Sequence, residues 1–354
     1  MIKIKPHLEN LYRVKPSLIL RKGCLRLDMN EGIPGLPDNF IKSILSKIDL
    51  DLLSTYPEYE KLTEKLAGHN GLKPGNICLA NGSDSAIKYI FDAYVSSGNK
   101  VLFAEPSFAM YAVYCRMFNA FPVTVKYKKD LSFPSDDFIK KIGPGIKLAV
   151  VVNPNNPTGT AISQEALLAI IKKAAKHNVL LIIDEAYYYF YPKTVIRLVK
   201  RYKNLIVLRT FSKLCGMAGL RLGYAASCPE IIEGLRKVKP TFDINNIAIT
   251  FAERLLSNPQ IIQGLIKDAL QGKEYLLRQL EGRGIEYREG QANFVLIFCK
   301  NRVKEISLKL AREKVLIASG FKQDFLKNYI RVTIGNKAAM EKFWKVFLKI
   351  WKAK

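Results

Sequence analysis

The sequence predicts an α/β protein, with a large domain built on a mostly parallel sheet between helices and a smaller α+β domain after it. Three observations carry that expectation. Apolar, β-branched runs at 147–152 ("KLAVVV"), 179–184 ("VLLIID") and 204–210 ("NLIVLRT") read as strands buried on both faces. Between the first two stands "SQEALLAIIKKAAKHN", where Ser163 can cap and Leu167, Ile170, Ile171 and Ala174 form one apolar stripe, which makes a βαβ unit. Finally, 354 residues with 49% hydrophobic and 25% charged side chains suffice for two cores and leave little for disorder.

The other elements follow in chain order. The opening "MIKIKPHLENLYRVKPSLILRKG" is basic, but Pro6, Glu9 and Pro16 break it before any stretch of signal length, so it is not expected to be a secretion signal. "NICLA" followed by "NGSDSAIKYIFDAYV" reads as strand, glycine turn and helix, and "KVLFAEPSFAMY" as the next strand with its exit loop. A long, mostly helical stretch runs from Asp243 to Leu280. Beyond it "ANFVLIF" and "YIRVTIG" read as strands of a smaller sheet, interleaved with helices of which one ends at Glu313. The expected division is an N-terminal arm with part of the small domain at 1–45, a large domain at 46–255 and a C-terminal small domain at 256–354. In the closing "KFWKVFLKIWKAK", Trp344, Phe347, Leu348 and Trp351 share a helical face, with Lys345, Lys349 and Lys352 largely opposite. Such a helix can lie on anionic lipid, but a last helix packed on its own domain is the preferred reading.

Composition narrows the function classes. The 56 Lys and Arg against 31 Asp and Glu give a net charge of +25, which attracts anions. The basic residues spread from Lys3 to Lys354 without a recognition-helix, zinc-finger or RNP-like pattern, so no nucleic-acid partner is expected. Six cysteines without a Cys-x-x-Cys pair argue against a disulfide frame or a metal site and for a reducing compartment. No apolar run reaches span length, and the expected location is cytoplasmic.

Ligands of open parallel sheets bind beyond the carboxyl ends of the strands. Polar clusters follow four of the predicted strands: Asn81-Gly82-Ser83-Asp84, Asn153 to Gly159 ("NPNNPTG"), Asp184-Glu185-Ala186-Tyr187, and Phe211-Ser212-Lys213. Each has a plain alternative as a cap, a turn or surface; it is their coincidence that points to one crevice. A lysine at a dry strand end near Arg221 loses its proton readily and can condense with an aldehyde. Pyridoxal 5′-phosphate then matches the set. Asp184 suits its ring nitrogen, Asn156 and Tyr187 its phenolic oxygen, and Gly82, Ser83, Asp84, Ser212 and Arg221 its phosphate. His7, His69 and His177 fall in none of these clusters, and strand alternation turns Glu185 away from Asp184, so it is read as structural.

The motifs "LDMNEG", "STYPEYEKLTEKLA", "LANGSDSAI", "PSFAMY", "NPNNPTG", "DEAYYYF", "TFSKLCGMAGLRLGY", "QANFVLIF" and "YIRVTIG", in that order, resemble the fold-type I pyridoxal-phosphate enzymes, most closely the histidinol-phosphate aminotransferase family. The resemblance implies a seven-stranded large-domain sheet and a Schiff base at Lys213, which also shuttles the proton at the substrate α-carbon. It further implies that Tyr111 stacks on the pyridine ring and that Tyr56 reaches the phosphate of the neighbouring subunit in a homodimer. Arg331 would bind the substrate carboxylate, with Asn30 lining the same pocket. Two positions depart from the family pattern: Ala318 stands where a phosphate-reading arginine is expected, and "GSDS" puts Ser85 in place of an acid. Arg312, Lys322 or Tyr12 are the candidates to compensate, and Tyr12 is taken as substrate-binding.

The expected activity is transfer of an amino group from a donor such as glutamate to a small keto or aldehyde acceptor, phosphorylated or not. Decarboxylation of a phosphorylated amino acid at the same site is the alternative. A non-catalytic binder of anionic partners is the third reading, resting on charge and the terminal helix alone.

Overall fold

Residues 2–11 and 21–352 are described by the computed structural model. Their strands are β1 (Leu25–Leu27), β2 (Ile77–Ala80), β3 (Lys100–Glu105), β4 (Phe121–Lys126), β5 (Ile146–Val152), β6 (Leu180–Asp184), β7 (Leu205–Thr210), β8 (Gly223–Ala226), β9 (Tyr287–Glu289), β10 (Phe294–Phe298), β11 (Val315–Ile317) and β12 (Tyr329–Thr333). Seven of them form one sheet in the order β2-β8-β7-β6-β5-β3-β4. Only β8 runs against its neighbours.

The continuous apolar runs fold as strands because both sheet faces are covered. Ala149, Val151, Leu181, Ile183, Leu205 and Val207 join one core, while Leu148, Val150, Ile182, Ile206 and Leu208 join the other. A period of two that is apolar at every position is the signature of a central parallel sheet. The predicted crossover helix spans Gln164–Lys176, Ser163 accepts a hydrogen bond from Ala166 N, and its stripe of Leu167, Ile170, Ile171 and Ala174 is buried.

The Asp243–Leu280 stretch forms two helices, Asn246–Leu256 and Pro259–Glu281, separated where Pro259 begins the second. The second helix has 23 residues, long enough to reach between cores at about 1.5 Å per residue. Its Ile262 and Leu265 pack in one of the large-sheet cores, and its Leu276 and Leu280 in a third. That third core gathers Leu27, Val295, Ile297, Val332, Phe343, Trp344 and Phe347 around a three-stranded antiparallel sheet (β12-β10-β9) and the β1-β11 pair. The terminal helix Lys337–Lys352 thus spends its aromatic face on its own core and leaves Lys345, Lys349 and Lys352 exposed. Among the described residues no helix is long and apolar enough to cross a membrane.

Candidate active site

The four polar clusters meet in a cavity of about 230 Å³ at the carboxyl ends of the parallel strands. Ser83 and Asp84 reach it from beyond β2, Asn156 from beyond β5, Asp184 and Tyr187 from β6, and Thr210, Ser212 and Lys213 from β7. Arg221 and Glu31 complete the polar lining. A larger hollow of about 470 Å³, between residues 188–192 and the helix Pro259–Glu281, shares no lining residue with it and holds neither the amine nor the carboxylate.

Asp184 closes one end. It is 3% exposed, accepts from Tyr111 Oη at 2.8 Å and from Ala186 N at 3.1 Å, and burial pushes its carboxyl up to about 6 against those two hydrogen bonds. A carboxylate kept dry with few partners is one that still seeks a cationic donor. Lys213 lies between the ends, donating to Met29 O at 3.1 Å. Burial, and then the positive charge of Arg331, lower its amine to about 8.

Arg221 and the start of the helix Gly82–Tyr94 give the cavity a guanidinium and free N–H donors. The helix Gly82–Tyr94 opens without a side-chain cap, so its first N–H groups are unclaimed by one. Arg221 sits in the left-handed region at φ 55° and directs its guanidinium across Gly82, donating to Ser212 Oγ at 3.4 Å and Ala218 O at 3.0 Å. Gly82 has φ +79°, and a Cβ there would stand 2.6 Å from Arg221 Nη2. Gly223 leaves no more room, since its Cβ would lie 2.4 Å from Ser83 N. The glycines of the motif are therefore there to admit the guanidinium and the helix start.

Tyr187 lines the middle, 3% exposed, with its hydroxyl accepting from Asn30 Nδ2 at 2.8 Å. Asn30 does not line the cavity as expected. It is held at φ 56° by Thr333 and Asn293 and stands behind Tyr187, which it positions. Tyr111 also differs from expectation. It is fully buried and holds Asp184 from behind, while Phe108, edge-on to it at 6.2 Å, is the ring of this segment that lines the cavity. Both belong to "PSFAMY", but the loop turns the earlier ring inward to the ligand space.

Arg331 is 8% exposed. It donates to Asn156 Oδ1 and, at 2.6 Å, to Asp28 O, and its Nε is buried without a partner. Ala318 pairs with it backbone to backbone, so the missing guanidinium would have stood beside Arg331. Arg312 and Lys322 are exposed and do not line the cavity, and Tyr12 lies outside the described residues. Tyr56 is 76% exposed, stacked on Phe242 at 4.2 Å, and does not line the cavity. Met29, Glu31, Val152, Ala186, Thr210 and Ala218 also line it and were not singled out in the sequence. Of these Thr210 was findable, as the last residue of a predicted strand.

Residues 27–347 match the family model described as aminotransferase class I and II. The chain belongs to that family. The histidinol-phosphate aminotransferase of Thermoanaerobacter pseudethanolicus is 34% identical over 317 residues, 88% of either chain. The structure of the Sinorhizobium meliloti histidinol-phosphate aminotransferase in complex with pyridoxal-5′-phosphate superimposes with a TM-score of 0.90 at 23% identity, over 100% of this chain and 98% of that one. The L-threonine-O-3-phosphate decarboxylase of Porphyromonas gingivalis shares the fold too, with a TM-score of 0.77 at 22% identity over 92% and 98%.

As a class I and II aminotransferase the protein uses pyridoxal 5′-phosphate, and the donor set fits that molecule. A guanidinium, hydroxyls and an uncapped helix start suit a phosphate; a dry carboxylate suits a basic ring nitrogen; an amine of lowered proton affinity lies between them.

Proposed function

We propose that this aminotransferase moves an amino group from an amino-acid donor such as glutamate to a small keto or aldehyde acceptor, using Lys213 as its reactive amine and working as a homodimer. The observation that carries the reading is the placement of Lys213 and Asp184 on one cavity that Arg221 also lines. When bound, pyridoxal phosphate supplies an aldehyde for the incoming amine and a ring that draws electrons from the carbon bearing it.

The chain's own residues do the rest. Asp184 holds the ring nitrogen, Asn156 and Tyr187 the phenolic oxygen, Phe108 the ring face, and Gly82, Ser83, Asp84, Ser212 and Arg221 the phosphate. Lys213 Nζ, whose proton affinity burial lowers, takes and returns the proton at the substrate α-carbon. Arg331, with a buried and unpartnered Nε, receives the substrate carboxylate. Beside it the Ala318 methyl supplies no second cation, so carboxylate recognition is the fixed part of substrate choice, and the acceptor is to be found by screening. The names of the relatives put phosphorylated carbonyl acceptors first in that screen.

The exposed Tyr56–Phe242 stack, with Leu45, Leu50 and Leu53 exposed nearby in sequence, supports an apolar face covered by a second copy, across which Tyr56 reaches the neighbour's phosphate site. The separate core around β9–β12, which takes in Leu27, supports a division into an arm with part of the small domain at 1–45, a large domain at 46–255 and a small domain at 256–354.

Purified protein is expected to show a visible cofactor band that glutamate, or another donor, bleaches and a carbonyl acceptor restores. Lys213→Ala should lose the band. Release of carbon dioxide without any acceptor, and no bleaching by any donor, would overturn transfer in favour of decarboxylation.

A further inference from the structure

Directly behind Asp184, on the opposite side of the sheet from the cavity, lies an ion pair that the chemistry above does not use. Glu185 follows the last residue of β6, and Arg209 is the last but one of β7. They are 3% and 4% exposed. Arg209 donates to Glu185 Oε2 through Nε at 3.0 Å and Nη2 at 2.9 Å, to Asn70 Oδ1 at 2.8 Å and to Thr194 Oγ1 at 2.8 Å. Glu185 also accepts from Thr194 Oγ1 and from Val195 N at 2.9 Å. The Tyr188 ring covers the guanidinium at 3.3 Å. Removing two charges from water costs several kcal/mol each, and apolar replacements are often as stable, so a pair this complete invites a role besides stability.

Its position supplies one. The β6 and β7 ends carry Asp184 and, just beyond, Lys213. Glu185 N donates to Leu208 O at 2.9 Å, so the backbone register and the side-chain pair bind these two ends together twice. We propose that the Glu185–Arg209 pair is a positioning device for the cofactor site, which locks the two strand ends and, by cancelling its own charge, leaves Asp184 free to ionise toward the ring nitrogen. The inference rests on the reading of Lys213 and Asp184 given above.

The charge argument has a sign. The groups facing the pair are Tyr224 from β8, Tyr188 and Tyr189 from the turn after Asp184, and His69 and Asn70 from the helix Glu60–Asn70; Asp184 itself faces Tyr111, Lys213 and Glu185. Burial, and then Arg209, hold His69 below its usual value. No other carboxylate among these can replace Glu185. Neutralising Glu185 therefore leaves a buried cation behind the site, and neutralising Arg209 leaves a buried anion or a protonated acid.

The test is a titration of the visible band of the holoenzyme, whose position follows protonation of the nitrogen joining Lys213 to the cofactor. Glu185→Gln keeps the shape and should move the midpoint down by a few tenths to about one unit, while Arg209→Gln should move it up. Arg209→Lys keeps the charge but loses the fork, and should restore the midpoint while weakening cofactor affinity about tenfold. If Arg209→Gln is not soluble, Glu185→Gln and Arg209→Lys still carry the sign. A merely structural pair would lower melting temperature in all variants and leave the midpoint in place; that outcome, or an upward shift in Glu185→Gln, overturns the proposal. Wild-type protein without a visible band would instead sink the underlying reading of Lys213.

Discussion

Lys213 and Asp184 are both held against their ordinary ionisation, and that makes the site a source of instability before the cofactor arrives. For Lys213 the shift from 10.5 to about 8 means that the unfolded chain binds more protons between those values. Stability therefore rises with pH across that window, and the full penalty is present below it. For Asp184 the shift from 3.8 to about 6 has the opposite slope: the folded chain binds more protons there, stability falls as pH rises, and the penalty is complete above pH 6. Cofactor-free Asp184→Asn and Lys213→Met proteins are thus expected to be more stable than wild type at pH 7 by about 1–3 kcal/mol, while both lose cofactor function. The asparagine gain should vanish below about pH 4 and the methionine gain above about pH 10.5, as followed by thermal melts across pH. Equal or lower melting temperatures at pH 7 in both variants would contradict the burial argument. At this scale the sequence was informative at a strand end and in the short segment just after one, where the cavity opens; Asp184, at the end of β6, and Ser212 and Lys213, just beyond β7, all line it. The sequence misplaced Tyr111 and Asn30, because loop direction, and not spacing, decides which of Phe108 and Tyr111, or Met29, Asn30 and Glu31, faces inward.

The elements explain why the glycines cannot be exchanged. At Gly223 the would-be Cβ meets Ser83 N at 2.4 Å and Arg209 O at 2.8 Å, both backbone atoms that cannot swing aside. Gly223→Ala must therefore push the first turn of the helix Gly82–Tyr94 away from β8. The expected loss is about 2–4 kcal/mol in apo stability by denaturant titration, together with weakened cofactor binding. Gly82→Ala meets a side chain instead, Arg221 Nη2, but at φ +79° it also forces an L side chain into the left-handed region, so it too is expected to lose stability, along with cofactor affinity as the guanidinium is displaced. An unchanged denaturation midpoint in Gly223→Ala would show that the backbone contact there is not obstructive. The strands β5, β6 and β7 and the helix Gln164–Lys176 were legible because each is an uninterrupted apolar run or a clean stripe. The four-residue β8, "GYAA", was not, since its strand character comes from lying between β2 and β7 and not from its own propensity. The terminal helix was legible in period, and its packing follows from Phe343, Trp344 and Phe347 being buried together. Phe347→Ala, at a fully buried position, is expected to cost about 3–5 kcal/mol, and wild-type protein should not sediment with anionic vesicles at physiological salt.

At the scale of the whole molecule the proposed homodimer turns on Tyr56, which does not line the cavity of its own chain. Tyr56 and Phe242 are exposed and stacked on each other, away from the cavity lining. An exposed aromatic pair, with exposed Leu50 and Leu53 close to Tyr56 in sequence, is apolar surface of the kind that obligate dimers bury. If Tyr56 serves the neighbour, a two-fold dimer places two mixed sites across one interface, and the subunits can complement each other. Tyr56→Ala alone is expected to weaken cofactor binding about tenfold or more, the value of a hydrogen bond to a charged group, and Lys213→Ala alone to be inactive. Unfolded, mixed in equal amounts and refolded together, half of the dimers are hybrids. In each hybrid one site combines an intact Lys213 with an intact Tyr56 from the other chain, and the second site carries both defects. The mixture should therefore recover about a quarter of wild-type activity at limiting cofactor. Were Tyr56 to act within its own subunit, the hybrid would hold one site lacking Tyr56 and one lacking Lys213, and mixing would add nothing to the sum of the separate variants.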